Sequence, residues 1–187
     1  MTNSKINLRF GLIALLILMA ALSRLFPHPP NFAPIAGMGL FGAAYFSKKY
    51  FAFLIPFVAY WISDMLLNNI VYTQYYDSFQ WFGDPLVYAS FALIIVLGIV
   101  LLKKVSPARL LGAGISSSVL FFLMTNFGTW LSSSTYPQNF EGLIACYVAG
   151  IPFFWNTLAG DLFYITVLFG SFELVKRQYP QFAKQVA

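Results

Sequence analysis

Apolar residues in this chain are gathered into long runs that recur from one end to the other, with short basic clusters at their ends. A helix that crosses the hydrocarbon core of a bilayer needs about 20 mostly apolar residues. Hydropathy gives six such segments: Leu8–Phe26, Phe32–Phe46, Tyr50–Leu67, Leu86–Leu102, Leu110–Leu131 and Val148–Phe172. The second is short. Its sequence NFAPIAGMGLFGAAYF is rich in Gly and Ala, which suits a helix packed among neighbours and not one facing lipid. With 59% hydrophobic and 9% charged residues in 187, little remains for a soluble domain. The expectation is an all-α membrane protein of six transmembrane helices, a single integral domain over residues 1–187.

The basic residues give an orientation. Ten of the eleven Lys and Arg (Lys5, Arg9, Lys48, Lys49, Lys103, Lys104, Arg109, Lys176, Arg177 and Lys184) fall on one side, and only Arg24 falls on the other. Cytoplasmic segments carry such an excess, so both termini are expected in the cytoplasm and the protein in a cell membrane, the inner membrane of a bacterium. A competing reading takes the first run as a signal peptide, since Lys5 and Arg9 precede an apolar core and MAALS resembles a cleavage region. The basic residues form no stripe, so no nucleic-acid partner is expected. A single cysteine, Cys146, makes no internal disulfide.

Polar groups then collect toward the outer side. Arg24 ends the first span, Asp64 and Asn68 the third, and Asn126 and Trp130 lie late in the fifth. Asp161 is deeper, roughly 13 Å along the last helix from Pro152. Ionisable groups inside a membrane face a partner or a wet cavity. Arg24 and Asp64 can pair with each other. Asp161, in WNTLAGDLFY, has no evident basic partner; it is either a ligand or ion contact, or an acid hydrogen-bonded to hydroxyls or protonated in place. Asn126 and Asn156 divide in the same way between binding a ligand and joining helices. Tyr72, Tyr75, Tyr76, Trp81 and Trp130 read as a membrane-interface belt or as walls for a flat ligand. Gly150–Pro152 is expected to break the last helix and let a short tilted piece precede it.

FPHPPNFAP, Phe26–Pro34, brings four prolines and the only histidine of the chain into nine residues. A helix cannot continue through the Pro-Pro step. The segment is expected on the outer surface as a rim or lid, with His28 and Asn31 near a pocket bounded by Arg24, Asp64, Asn126 and Asp161. The plainer reading of His28 is an exposed loop imidazole.

Four stretches, PHPPNFAPIAGMGLFGAAYF, SSVLFFLMTNFGTWL, YPQNFEGLIACYVAGIPFFWNTLAGDLFY and VLFGSFEL, together resemble an uncharacterised group of small polytopic membrane proteins, known chiefly as a domain of unknown function. More distantly, the topology and polar distribution resemble the substrate-binding S components of energy-coupling factor (ECF) vitamin transporters. That resemblance implies a six-helix bundle with both termini inside and an outward ligand pocket under the loop after the first helix. The first span departs from it: GLIALLILMAALSR carries Ala14, Ala20 and Ala21, not the Ala-x-x-x-Ala docking pattern. Some relatives act alone, including a corrinoid-binding branch that uses a cysteine; that role is not carried over to Cys146.

The functional expectation is a membrane substrate-binding or uptake protein for a small vitamin-like or micronutrient ligand. Arg24 and Asp161 would be its charge partners, with His28, Asn31, Asp64, Asn126 and Asn156 polar contacts and Trp130 an apolar wall. Partners would be the lipid bilayer, the ligand and other membrane subunits. No cofactor or metal is expected. An enzyme is not expected, because the chain has no H-E-x-x-H, P-loop, G-x-S-x-G or carboxylate pair at helical spacing; only a Cys146–His28 dyad offers a nucleophile and base. Two further functions compete with uptake: a scaffold, favoured by Gly39-x-x-x-Ala43, and a proton-coupled carrier built on Asp161.

Overall fold

The computed structural model of the protein describes residues 8–182, all of them helical or irregular, with no strand among them. The elements are α1 (Leu8–Leu22, continued by a 3-10 turn over Ser23–Leu25), α2 (Ile35–Tyr45) and α3 (Lys49–Leu66, ending in a π-type turn over Leu67–Val71). They continue with α4 (Pro85–Leu101), α5 (Pro107–Ser132) and α6 (Phe140–Gln178). Four of these, α1 and α3 with their terminal turns, α5 and α6, are long and apolar enough to cross a membrane, while α2 and α4 are shorter apolar helices. Lys5, Lys184 and both termini lie outside the described residues.

Local sequence sets the helix starts. Asp84 caps α4 by accepting the Leu86 N–H at 2.7 Å, and Pro85 stands in the first turn, where its missing donor costs nothing. Ser106 and Pro107 repeat this at α5, three residues before the expected Leu110. Asn139 accepts the Gly142 N–H at 2.8 Å and starts α6 well before the expected Val148. Replacing Asn139 with Ala leaves that donor without its partner. The expected cost is about 1 kcal/mol, read as a lower unfolding midpoint in detergent, and Asn139→Asp should retain most of the stability.

The expected break at Gly150–Pro152 does not form. α6 runs through Pro152 as one helix of 39 residues, roughly 58 Å long at 1.5 Å per residue. Proline removes one backbone bond, but α5 holds both sides of the step: Phe122 packs against Tyr147 and Phe154, and Asn126 lies against Gly150. The second span is also corrected. α2 has 11 residues and begins only at Ile35, after Pro34.

α2 carries no charged side chain, and every residue in it except Ala44 is buried. Its glycines let neighbours approach: Gly37 faces Tyr164 of α6, Gly39 faces Phe91, Ile94 and Ile95 of α4, and Gly42 faces Pro56 of α3. The core is therefore built around α2, with Phe41 stacking edge-on to Phe169 and Phe172. Contacts along the helices set their directions. α1, α3 and α5 run one way and α2, α4 and α6 the other: Phe10 meets Phe51 and Arg24 meets Asp64, while Phe10 meets Phe46 and Ile17 lies near Gly42. Gly39 meets Phe91 and Ala43 meets Gly98, Gly37 meets Tyr164 and Tyr45 meets Glu173, and Asn126 meets Gly150 while Gly114 meets Ile165.

This alternation brings Lys48, Lys49, Lys103, Lys104, Arg109, Lys176 and Arg177 to one end of the bundle. At that end Tyr45 donates to Glu173 at 2.6 Å, which fastens α2 to α6, and Lys176 of the same helix pairs with Glu173 at 2.7 Å. Arg24 stands at the opposite end.

Candidate functional site

The site grows from the turn that closes α1. Ser23 is within hydrogen-bond distance of the Tyr164 hydroxyl, at 2.7 Å, and this sets Arg24 toward α3. The Arg24 guanidinium donates to Ser63 at 2.8 Å and to Asp64 at 2.9 Å, and lies 4.3 Å from the centre of the Tyr60 ring. Asp64 also accepts the Tyr88 hydroxyl at 3.1 Å. Gly83 comes so close to the Asp64 carboxylate that any side chain there would collide with it. Ion pair, hydroxyls and ring thus form one satisfied network, as a charge pair with little solvent contact requires.

The proline-rich segment does not simply lie across the end of the bundle; it descends along α6. Asn156 donates to the Pro30 carbonyl at 3.0 Å, Phe32 packs on Phe163 and Tyr164, and Gly160 lies against the Phe32–Ala33 backbone. Asn31 takes the left-handed conformation, φ 63°, unique among the described non-glycine residues; its short polar side chain tolerates this better than a branched one. The segment ends where α2 begins, and there the Ala36 N–H donates to Asp161 Oδ1 at 3.2 Å.

Asp161 is 2% exposed. Its second oxygen lies 2.6 Å from the Ser118 hydroxyl. Neither hydrogen-bond partner carries a charge, and no ion pair involving Asp161 occurs among the described residues.

Two cavities open beside these groups. The first, about 210 Å³, is lined by Arg24, His28, Asn31, Tyr60, Tyr72 and Asp161 together with apolar side chains. The second, about 450 Å³, is lined by residues that include Asp84, Thr125, Asn126, Tyr136 and Cys146. Asn31, Val87, Phe121 and Thr157 line both, so the two spaces share one wall.

Arg24, His28, Asn31 and Asp161 thus meet at one cavity, and Asn126 joins Asn31 at the other. The remaining expected contacts lie elsewhere. Asp64 stands behind Arg24 as its ion-pair partner. Trp130 lines neither space: its indole N–H donates to the Pro137 carbonyl at 2.9 Å and braces the turn between α5 and α6. Asn156 holds the proline segment, and the Asn126 amide donates to its own helix at Phe122. His28 and Cys146 line different cavities.

Tyr60, Ser118 and Thr157 are additions that the sequence does not assign to the site, and Tyr72, which it offers as a belt residue or as a wall for a flat ligand, lines the first cavity. Ser118 had a signal, since three consecutive serines interrupt the apolar run GISSSVL. Tyr72 sits in the segment after α3, which is pinned to that helix by Asn69 bonding Gln80 and by Trp61 donating to the Trp81 carbonyl at 2.8 Å.

A family model described as "Family of unknown function (DUF6580)" matches residues 4–182 of the chain. No curated protein and no solved structure matches it.

Proposed function

The chain belongs to that family of unknown function, and from the site it carries we propose that it is a membrane protein that binds a small vitamin-like or micronutrient molecule for uptake. The observation that carries this reading is the cavity of about 210 Å³ where Arg24, His28, Asn31 and Asp161 converge. Charged and amide groups are costly to hold in an apolar bundle, and their convergence on one space suits a polar ligand. The excess of Lys and Arg at the far end supports a bacterial inner-membrane protein with its cavity facing outward and its termini in the cytoplasm. Six helices with the cavity beside the segment that follows α1 are similar to the plan of the energy-coupling S components.

A scaffold role has less to rest on. Gly39 and Ala43, the small-residue pair that favours helix association, are both buried against α4, at Phe91 and Gly98. That surface is used within the protein.

Mass spectrometry of small molecules retained by the detergent-purified protein tests the proposal. Thr157 lines both cavities, so Thr157→Trp fills the shared wall. The expected result is a molecule held by the wild type and lost from a folded Thr157→Trp protein. Equal retention by both, or none by either, removes the pocket from consideration.

A further inference from the structure

Charge accounting at the first cavity is incomplete. Arg24 and Asp64 neutralise each other at 2.9 Å, which leaves Asp161 as the acid on the cavity wall without a counter-charge. A carboxylate held out of water is stable only when a proton or another cation neutralises it. Aromatic and aliphatic side chains, Tyr60, Tyr72, Phe121 and Ile94, line the same space. Rings of this kind attract ammonium groups through their faces.

We infer that the ligand of this cavity is a small organic cation, an amine protonated at neutral pH, with Asp161 as its counter-ion. This rests on reading the cavity as a ligand site. A bare metal ion fits less well, because no group of three His, Cys, Asp or Glu able to hold one occurs among the described residues. The space of about 210 Å³ also exceeds what a desolvated ion fills.

The hydrogen bonds at Asp161 leave room for a proton exchange. Ser118 Oγ lies 2.6 Å from Asp161 Oδ2 and 3.1 Å from the Gly114 carbonyl oxygen. A serine has one hydroxyl hydrogen and cannot donate to both. With Asp161 ionised the Ser118 hydroxyl donates to its carboxylate; with Asp161 protonated the acid donates to Ser118 and Ser118 is free to donate to Gly114. With an ammonium bound, Asp161 is ionised, Ser118 turns its hydrogen to the carboxylate, and the displaced proton goes to solvent. One proton leaves for each cation that enters, and the charge of the site is unchanged.

The other elements around the acid supply no competing counter-charge. α1 brings Arg24, already paired; α2 brings the Ala36 N–H; α3 and the segment after it bring Tyr60 and Tyr72; α4 brings Val87 and Ile94. The proline segment brings His28 and Asn31, and α6 brings Thr157. His28, if protonated, would also repel a cation, so its contribution must be separated.

The experiment compares benzylamine, benzyl alcohol and benzoate, nearly isosteric probes of three charges, by calorimetry on wild-type protein in detergent. Benzylamine is expected to bind more tightly than the other two by about tenfold or more. It should release one proton, read from the heat in two buffers of different ionisation enthalpy. Binding should strengthen as pH rises from acid to neutral and do the same in His28→Gln, while Asp161→Asn should lose about tenfold or more.

Benzoate or benzyl alcohol binding as tightly as the amine overturns the inference, as does amine binding that survives Asp161→Asn. Sodium-dependent heat with no amine binding also overturns it. The selectivity is read on the wild type, so it stands even if Asp161→Asn does not fold. If no probe binds, the molecule retained in mass spectrometry decides. A cation supports the inference, and an anion or neutral molecule lost from Thr157→Trp overturns the charge class while leaving the pocket standing. Nothing retained overturns both.

Discussion

Arg24→Met is expected to cost about 3–5 kcal/mol, and Asp64→Leu added to it should restore most of that stability. The two side chains are 10% and 9% exposed, so removing one leaves the other charged, largely desolvated and unpaired. Asp64 would keep only the Tyr88 hydroxyl, and Arg24 alone would keep Ser63 and the Tyr60 ring. Removing both takes away the uncompensated charge and leaves apolar side chains between α1 and α3. Unfolding in detergent, followed for the two single variants and the double, gives the coupling directly. Costs that simply add would show that the pair is wet enough to be screened, and the network around Arg24 would lose its structural role.

Gly160→Val is the second large effect. A Cβ on Gly160 would lie 3.0 Å from the Ala33 nitrogen and 3.1–3.2 Å from Phe32 backbone carbons. The branched methyl groups reach further, and the obstacle is backbone held by Asn156 and by the start of α2, so it cannot swing aside as a side chain would. The expected loss is about 3 kcal/mol, together with displacement of the segment that forms one side of the first cavity. Gly170→Val, on the same helix with nothing within 4 Å of the added carbon, is the control and should stay within about 0.5 kcal/mol of wild type. If the two variants behave alike, the proline segment is not docked at Gly160.

The sequence carries much of this architecture because a bilayer leaves the backbone few choices. Long apolar runs read as helices, and α1, α3, α4 and α5 start or end within a few residues of the expected limits. The Arg24–Asp64 pair is legible for a related reason: two opposite charges at the same end of apolar segments have strong cause to meet. Where reading fails, the deciding contact lies in another helix. Pro152 looks like a break, but packing from Phe122 and Asn126 keeps α6 continuous. Trp130 is open in the sequence between an interface-belt residue and a pocket wall, and the carbonyl that takes its N–H belongs to a turn whose course the sequence does not reveal. Asn156 is open in the sequence between a ligand contact and a structural bond, and its amide bonds the Pro30 carbonyl because a segment entering the bundle brings its own unpaired carbonyls. Asp161 stands out as an isolated acid. Its partnership with Ser118 could have been suspected from the serine run, whereas the Ala36 N–H appears only once α2 is known to begin beside it.

The shortness of α2 bears on what keeps it in place. Eleven residues rise about 16 Å, half the thickness of a hydrocarbon layer of roughly 30 Å. Such a segment is too short to span that layer by itself, and Lys48 and Lys49 follow soon after its last turn. Its neighbours α1 and α3 are each long enough to settle in lipid unaided. α2 is therefore held by its neighbours, through the glycine faces that fit it to α3, α4 and α6. The cavity at the head of α2, lined there by Ile35 and Ala36, thus depends on the same packing as the centre of the bundle.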